Sequence, residues 1–265
     1  MKELCIIGSG NMGKAIAAGI LKKGLLKPED MIITDARESQ FCDFCRETGV
    51  GGTCDNRAAV RGSRIILLAV KPQYLAEVTA GFRDLVTRET LVVSIAAGRT
   101  LADLAALFSE ETKLVRVMPN VAAMVLEAMS ALSPNGYVTR EEMDRILALF
   151  NGIGSAEEIP ESMMDAVVGV SGSSPAYVCM LVEAMADAAV MGGMPRDQAY
   201  RFAEQAVLGS AKMLLETGMH PGVMKDMVCS PRGTTIEAVS ALEAGGFRGT
   251  VMEAVDACIR KSEAL

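Results

Sequence analysis

The chain of 265 residues contains no tryptophan and a single histidine, and only 4% of it is aromatic. The scarcity of histidine is the most restrictive of these. One histidine cannot complete a zinc site around Cys42, Cys45 and Cys54, where a C-x-x-C stands without a second pair, so no metal is expected. His220 itself precedes Pro221-Gly222 and reads as a turn residue rather than an acid or base. Clustered lysine and arginine are also missing: the net charge is −7, which argues against nucleic acid as a partner. The longer apolar stretches are broken by charge or glycine before they reach membrane-spanning length, and the first residues lack signal-peptide character. No membrane association is expected, and the expected location is the cytoplasm. Seven cysteines, an odd number, are scattered through the chain, so reduced thiols rather than a disulfide framework are anticipated.

Half of the residues are hydrophobic and eighteen are methionine, enough for a sizeable aliphatic core in about two domains. Methionine fills irregular gaps. Its enrichment after residue 160, with alanine and valine, predicts helices apolar around much of their circumference, as in helices buried within an oligomer.

The most informative segment is the first. A short apolar run, residues 4–7, leads into Gly8-Ser9-Gly10-Asn11-Met12-Gly13 and then into a stretch rich in Ala, Ile and Leu. This is the spacing of a dinucleotide-binding turn. Gly8 permits the tight turn, Gly10 lets backbone approach a pyrophosphate, and Gly13 lets the helix lie close to the sheet. The helix N-terminus offers free N–H groups to phosphate.

Short β-branched runs alternate with helical stretches up to about residue 159. Strands are predicted at 4–7, 31–34, 65–70, 91–95, 114–118, near 129–132 and near 155–159, with a helix at 140–151 behind an N-cap at Thr139. After Pro160 the strand signal stops. Helices are predicted at 162–171, 175–192, 195–217, 221–228, 235–244 and 250–262. The expected fold is therefore α/β, with a Rossmann-type, mostly parallel sheet in residues 1–159 and an all-helical domain in 160–265.

Several segments fall where ligands bind such folds. The second strand ends at Thr34-Asp35-Ala36-Arg37: an acid there accepts the ribose 2′-OH of NAD, whereas an arginine accommodates the 2′-phosphate of NADP. Asp35 as a simple helix cap is equally consistent. Ala69-Val70-Lys71-Pro72-Gln73, Ser94-Ile95-Ala96-Ala97-Gly98 and Arg116-Val117-Met118-Pro119-Asn120 close three further strands. In the helical half, Gly172-Ser173-Ser174-Pro175-Ala176-Tyr177 and Ser230-Pro231-Arg232-Gly233-Thr234-Thr235 interrupt helix with small and hydroxyl residues. Such a helix N-terminus suits a carboxylate, and Thr234 or Thr235 could equally serve as its cap.

Taken together these motifs, with Gly8–Met12, Val70-Lys71-Pro72, Met118-Pro119-Asn120, and the late His220-Pro221-Gly222, Lys225-Asp226 and Ser230–Thr235 runs, resemble the Δ1-pyrroline-5-carboxylate reductase family over the full length. The resemblance implies reduction of a cyclic imine carboxylate to L-proline, the last step of proline biosynthesis. NADPH is the implied cofactor, with NADH as the alternative. It would be held by Gly8, Ser9, Gly10, Asn11, Met12, Asp35, Arg37, Asn56, Val70, Lys71, Pro72 and Ala97. Substrate would be held by Glu161, Ser230, Gly233, Thr234 and Thr235, with Thr235 near the ring nitrogen as the catalytic residue. A homodimer through the C-terminal helices, assembled further into decamers, is also implied. The family pattern is Ser-Pro-Gly-Gly, and Arg232 stands in place of its first glycine. If that position needs φ > 0, arginine costs local strain. The nearest competing class, the β-hydroxyacid dehydrogenases, uses a lysine on the long interdomain helix, and residues 175–192 contain none.

Overall fold

The computed structural model describes residues 2–264. The first half builds one sheet from β1 (Lys2–Ile7), β2 (Met31–Thr34), β3 (Gly51–Thr53), β4 (Ser63–Leu68), β5 (Leu91–Ser94), β6 (Lys113–Met118), β7 (Ala128–Pro134) and β8 (Gly154–Glu158). Their order is β3-β2-β1-β4-β5-β6-β7-β8, parallel except for the β6–β7 pair. The order reverses between β1 and β4, which opens a crevice beyond the carboxyl ends of those strands.

Both faces of the sheet are covered, and the strands show why. In β1, Leu4 and Ile6 enter one core while Cys5 and Ile7 enter the other. Ile65 and Leu67 of β4 likewise alternate with Ile66 and Leu68. A strand apolar on both faces must be covered twice. Helices α1 (Asn11–Lys22), α2 (Cys42–Thr48), α3 (Asn56–Val60), α4 (Leu75–Ala80), α5 (Leu101–Leu107) and α6 (Arg140–Phe150) connect the strands. Capping boxes open α5, through Thr100 and Asp103, and α6, through Thr139 and Glu142.

Two elements depart from the expectation. β3 was not anticipated, since Gly51-Gly52-Thr53 has no apolar residue to signal a strand; it pairs with β2 at the sheet edge. The segment expected as a helix at 162–171 is instead a 3-10 turn (Glu161–Met163), a short helix α7 (Met164–Val167) and a π turn (Val168–Gly172).

The remaining helices are α8 (Ser174–Met191), α9 (Arg196–Thr217), α10 (Pro221–Val228), α11 (Thr234–Ala244) and α12 (Phe247–Glu263). Compact units comprise residues 2–172 with 259–264, and 173–258. The stretch 161–172 groups with the sheet in this division. Within the second unit α8 packs against α9. Its helices leave Met180, Leu181, Phe202, Leu208 and Met252 exposed in the single chain. One helical run, Glu161–Met191, is long and apolar enough by length and composition to cross a membrane, although only 6% of that window is buried. The sequence predicts that charge and glycine interrupt every such stretch, whereas 166–182 carries no charge.

Candidate functional site

In the first unit the carboxyl ends of four strands are stitched to one another. Gly8 N–H donates to Thr34 O at 2.9 Å, Ala69 N–H to Ile7 O at 2.8 Å, and Ile95 N–H to Leu68 O at 3.2 Å. This row gathers residues 8–12, Asp35, Val70 and Ala97 along one edge of the sheet.

The three glycines of the first turn have separable reasons. A Cβ on Gly8, whose φ is +109°, would lie 2.5 Å from Ala69 O, and one on Gly13 would lie 2.2 Å from Gly8 O. Those two positions are dictated by the protein's own packing. Gly10 is different: a Cβ there meets nothing within 4 Å, and its φ of −67° is open to any residue. Glycine at this exposed position keeps space clear for a ligand at the N-terminus of α1. No side chain caps that helix, so its first N–H groups remain available to phosphate. The cradle fits a dinucleotide pyrophosphate.

Asp35 is partly engaged already. Its Oδ2 accepts from Ser9 N–H at 3.1 Å and from the Ser9 hydroxyl at 3.0 Å, while Oδ1 accepts from Arg37 N–H at 3.4 Å. Arg37 is exposed beside it. Asn56, the first residue of α3, accepts from the Thr34 hydroxyl at 2.7 Å through Oδ1. Lys71 and Ala97 are exposed, and Val70 and Pro72 half-buried, in the turns that follow β4 and β5.

Glu161 also has protein partners. Its Oε1 accepts from Leu101 N–H at 2.7 Å and from Arg116 Nη1 at 3.0 Å. Arg116 is only 8% exposed. The signal for Arg116 in the sequence is an arginine inside the apolar run Leu114-Val115-Arg116-Val117-Met118, which calls for a buried anion.

The hydroxyl-rich turn lies wholly in the second unit. Gly233 N–H donates to Ser230 O at 2.9 Å, closing a four-residue turn with Pro231 and Arg232 at its centre. Arg232 adopts φ +59°, the left-handed conformation anticipated for this position. A Cβ on Gly233 would lie 2.2 Å from Ser230 Oγ, so a larger residue there would have to displace that hydroxyl. Gly233 is the N-cap of α11 and no side chain caps the helix. Of the two caps considered from sequence, neither Thr234 nor Thr235 takes that role; both lie in the first turn of α11. His220 is the N-cap of α10, accepting from Gly222 N–H through Nδ1 at 3.1 Å, in keeping with a turn role. Ser173 Oγ lies 3.1 Å from Cys258 Sγ, and burial together with a hydrogen bond to Cys258 raises the Tyr177 phenol above its ordinary pKa. Among the described residues no group of three or more metal-ligating side chains forms.

Comparison with known proteins agrees with this geometry. Residues 161–265 match the family model for pyrroline-5-carboxylate reductase dimerisation, and residues 3–98 match that for coenzyme F420-dependent NADP oxidoreductases. The chain is 48% identical to the pyrroline-5-carboxylate reductase of Escherichia coli, across 100% of this chain and 98% of that one. It is 46% identical to the enzyme of the same name from Methanosarcina acetivorans, across 99% and 96%. The solved structure of a pyrroline-5-carboxylate reductase from Coxiella burnetii superposes with a TM-score of 0.95 at 29% identity, covering 99% of this chain and 98% of that one. That of a Plasmodium falciparum pyrroline carboxylate reductase with NADP bound gives 0.87 at 30% identity, covering 99% and 97%.

Proposed function

This chain belongs to the pyrroline-5-carboxylate reductase family, and from that premise we propose how its residues divide the work. The protein reduces Δ1-pyrroline-5-carboxylate to L-proline, the last step of proline biosynthesis, and its cofactor is NADPH. It forms homo-oligomers.

Gly8, Ser9, Gly10, Asn11 and Met12 hold the pyrophosphate, with the uncapped N-terminus of α1 supplying N–H donors. Arg37 takes the 2′-phosphate, Asp35 and Asn56 border the ribose, and Val70, Lys71, Pro72 and Ala97 line the path toward the nicotinamide. When bound, NADPH supplies the hydride that adds to the imine carbon. The carboxylate of the substrate is held by Ser230, Gly233, Thr234 and Thr235. The observation that carries this assignment is the N-terminus of α11, where Gly233 opens a helix that no side chain caps. The Thr235 hydroxyl donates toward the ring nitrogen as that nitrogen becomes an amine. Because an imine is reduced most easily with its nitrogen protonated, the residues need only orient a cation; a chain with one histidine, used as a helix cap, has what the reaction asks.

The helices of the second unit form the contact between copies, as a dimer that assembles into decamers; the exposed Met180, Leu181 and Phe202 support this. The location is the cytoplasm, in keeping with seven cysteines that form no disulfide among the described residues. Steady-state reduction of pyrroline-5-carboxylate with NADPH and with NADH tests the whole reading, and Thr235→Ala tests its centre. Turnover should fall by about tenfold or more with the NADPH dissociation constant unchanged. Unchanged turnover would remove Thr235 from the mechanism.

A further inference from the structure

We propose that Glu161 and Arg116 are positioning residues: together they hold the turn after β5 in register for the cofactor. The proposal rests on the reading that Ala97 borders the nicotinamide. The turn, residues 95–100, is pinned at its start by the hydrogen bond from Ile95 N–H to Leu68 O. Between its ends Ala97 is exposed and Gly98 adopts φ +69°, a conformation with little stiffness of its own. At its far end Thr100 and Asp103 form the local capping box, with Thr100 Oγ1 accepting from Asp103 N–H and Asp103 Oδ2 accepting from Thr100 N–H.

That box leaves the first N–H of α5, on Leu101, without a local partner. Glu161, sixty residues further along the chain, supplies it through Oε1 at 2.7 Å. The same oxygen is fixed by Arg116, the residue of β6 that pairs with Ser94 at the end of β5. A nearly buried guanidinium needs an anion, and an anion bound to it is not free to wander. The chain of contacts therefore runs from the strand ends through Arg116 and Glu161 to Leu101. One carboxylate oxygen serves both donors, so losing the carboxylate frees both. Glu161 acts on the reaction through Leu101 rather than by touching substrate with this oxygen.

Hydrogen–deuterium exchange of the cofactor-free protein reads the turn directly. Glu161→Ala should speed exchange at Leu101 by about tenfold or more, and Glu161→Gln, which keeps an acceptor for Leu101 but loses the charge that holds Arg116, by less. In kinetics, Glu161→Ala should lower turnover by about tenfold and raise the NADPH dissociation constant, with KM for the imine within about twofold of the unsubstituted enzyme. Unchanged exchange at Leu101 in both variants would overturn the proposal. So would a rise in KM for the imine with turnover preserved, which is the signature of a substrate contact. Thermal scans establish that each variant is folded; should Glu161→Ala not fold, Glu161→Gln carries the same comparisons at smaller amplitude. If the unsubstituted protein failed to reduce pyrroline-5-carboxylate, the functional reading would fall while exchange and NADPH titration still decided this one.

Discussion

Asp35 holds Ser9 twice, through the backbone N–H at 3.1 Å and the hydroxyl at 3.0 Å, both on the same carboxylate oxygen. An acid at the end of a second Rossmann strand is the usual partner of a ribose hydroxyl, yet here it braces the glycine turn itself. Asp35→Ala is therefore expected to weaken NADPH and NADH alike, by about tenfold, because the loop that cradles the pyrophosphate loses its tie. Fluorescence titration with each cofactor checks this. A loss confined to NADH would return Asp35 to the ribose role alone.

Arg37 makes the complementary prediction. It is exposed beside Asp35, which accepts from its backbone N–H at 3.4 Å, and a planar guanidinium there matches a phosphate. Arg37→Ala should weaken NADPH by about tenfold or more and leave NADH within about twofold, since only the former carries the 2′-phosphate. Parallel losses for both cofactors would show that the residue contributes to the shape of the loop and not to the choice between them.

The contrast between these two residues explains what the sequence could convey. Gly8, Gly10 and Gly13 were legible because each spacing has a mechanical cause, and the alternation in β1 and β4 was legible because both faces are buried. The reversed direction of β7 was not, since an antiparallel strand carries the same apolar signal as a parallel one. β3 was invisible because Gly51 and Gly52 contribute backbone pairing and no side-chain pattern; a Cβ on Gly52 would strike Phe41 at 2.5 Å. The tie between Glu161 and Leu101 spans sixty positions, and no local pattern announces which backbone N–H a distant carboxylate will find. Arg232 was legible as a conflict, and the structure shows that the turn forms in spite of it.

The capping box of α6 gives a pH dependence. Burial alone would raise the Glu142 carboxyl, but hydrogen bonds from Lys113, at 2.6 Å, and from Thr139 outweigh it and hold the pKa below the ordinary glutamate value. A depressed folded-state pKa stabilises the protein above the unfolded value, about 4.3, and that contribution is lost as pH falls through the folded-state pKa. Glu142→Gln, which mimics the protonated form, should cost about 1 kcal/mol at pH 7 and less near pH ~3. Denaturant midpoints at the two pH values check it. A gap that persisted undiminished in acid would mean that the substitution disturbs packing and not charge.

Arg232 offers the sharpest test of the substrate turn. Pro231 at the second position and a left-handed residue at the third, closed by the bond from Gly233 N–H to Ser230 O, describe a type II turn, whose third position favours glycine. Arginine there costs about 1–2 kcal/mol in the folded state, and glycine gives back about 0.5–1 kcal/mol through the larger freedom of the unfolded chain. Arg232→Gly should therefore raise stability by roughly 0.5–1 kcal/mol, seen as a higher denaturant midpoint at constant slope. Because the turn is already closed with arginine in place, the backbone donors at the start of α11 keep their positions, and KM for the imine should stay within about twofold. A tenfold rise in KM would show that the guanidinium itself grips the carboxylate, in which case the strain is retained for binding. A fall in stability would mean that the Arg232 side chain makes contacts in the assembled oligomer worth more than the backbone strain it imposes.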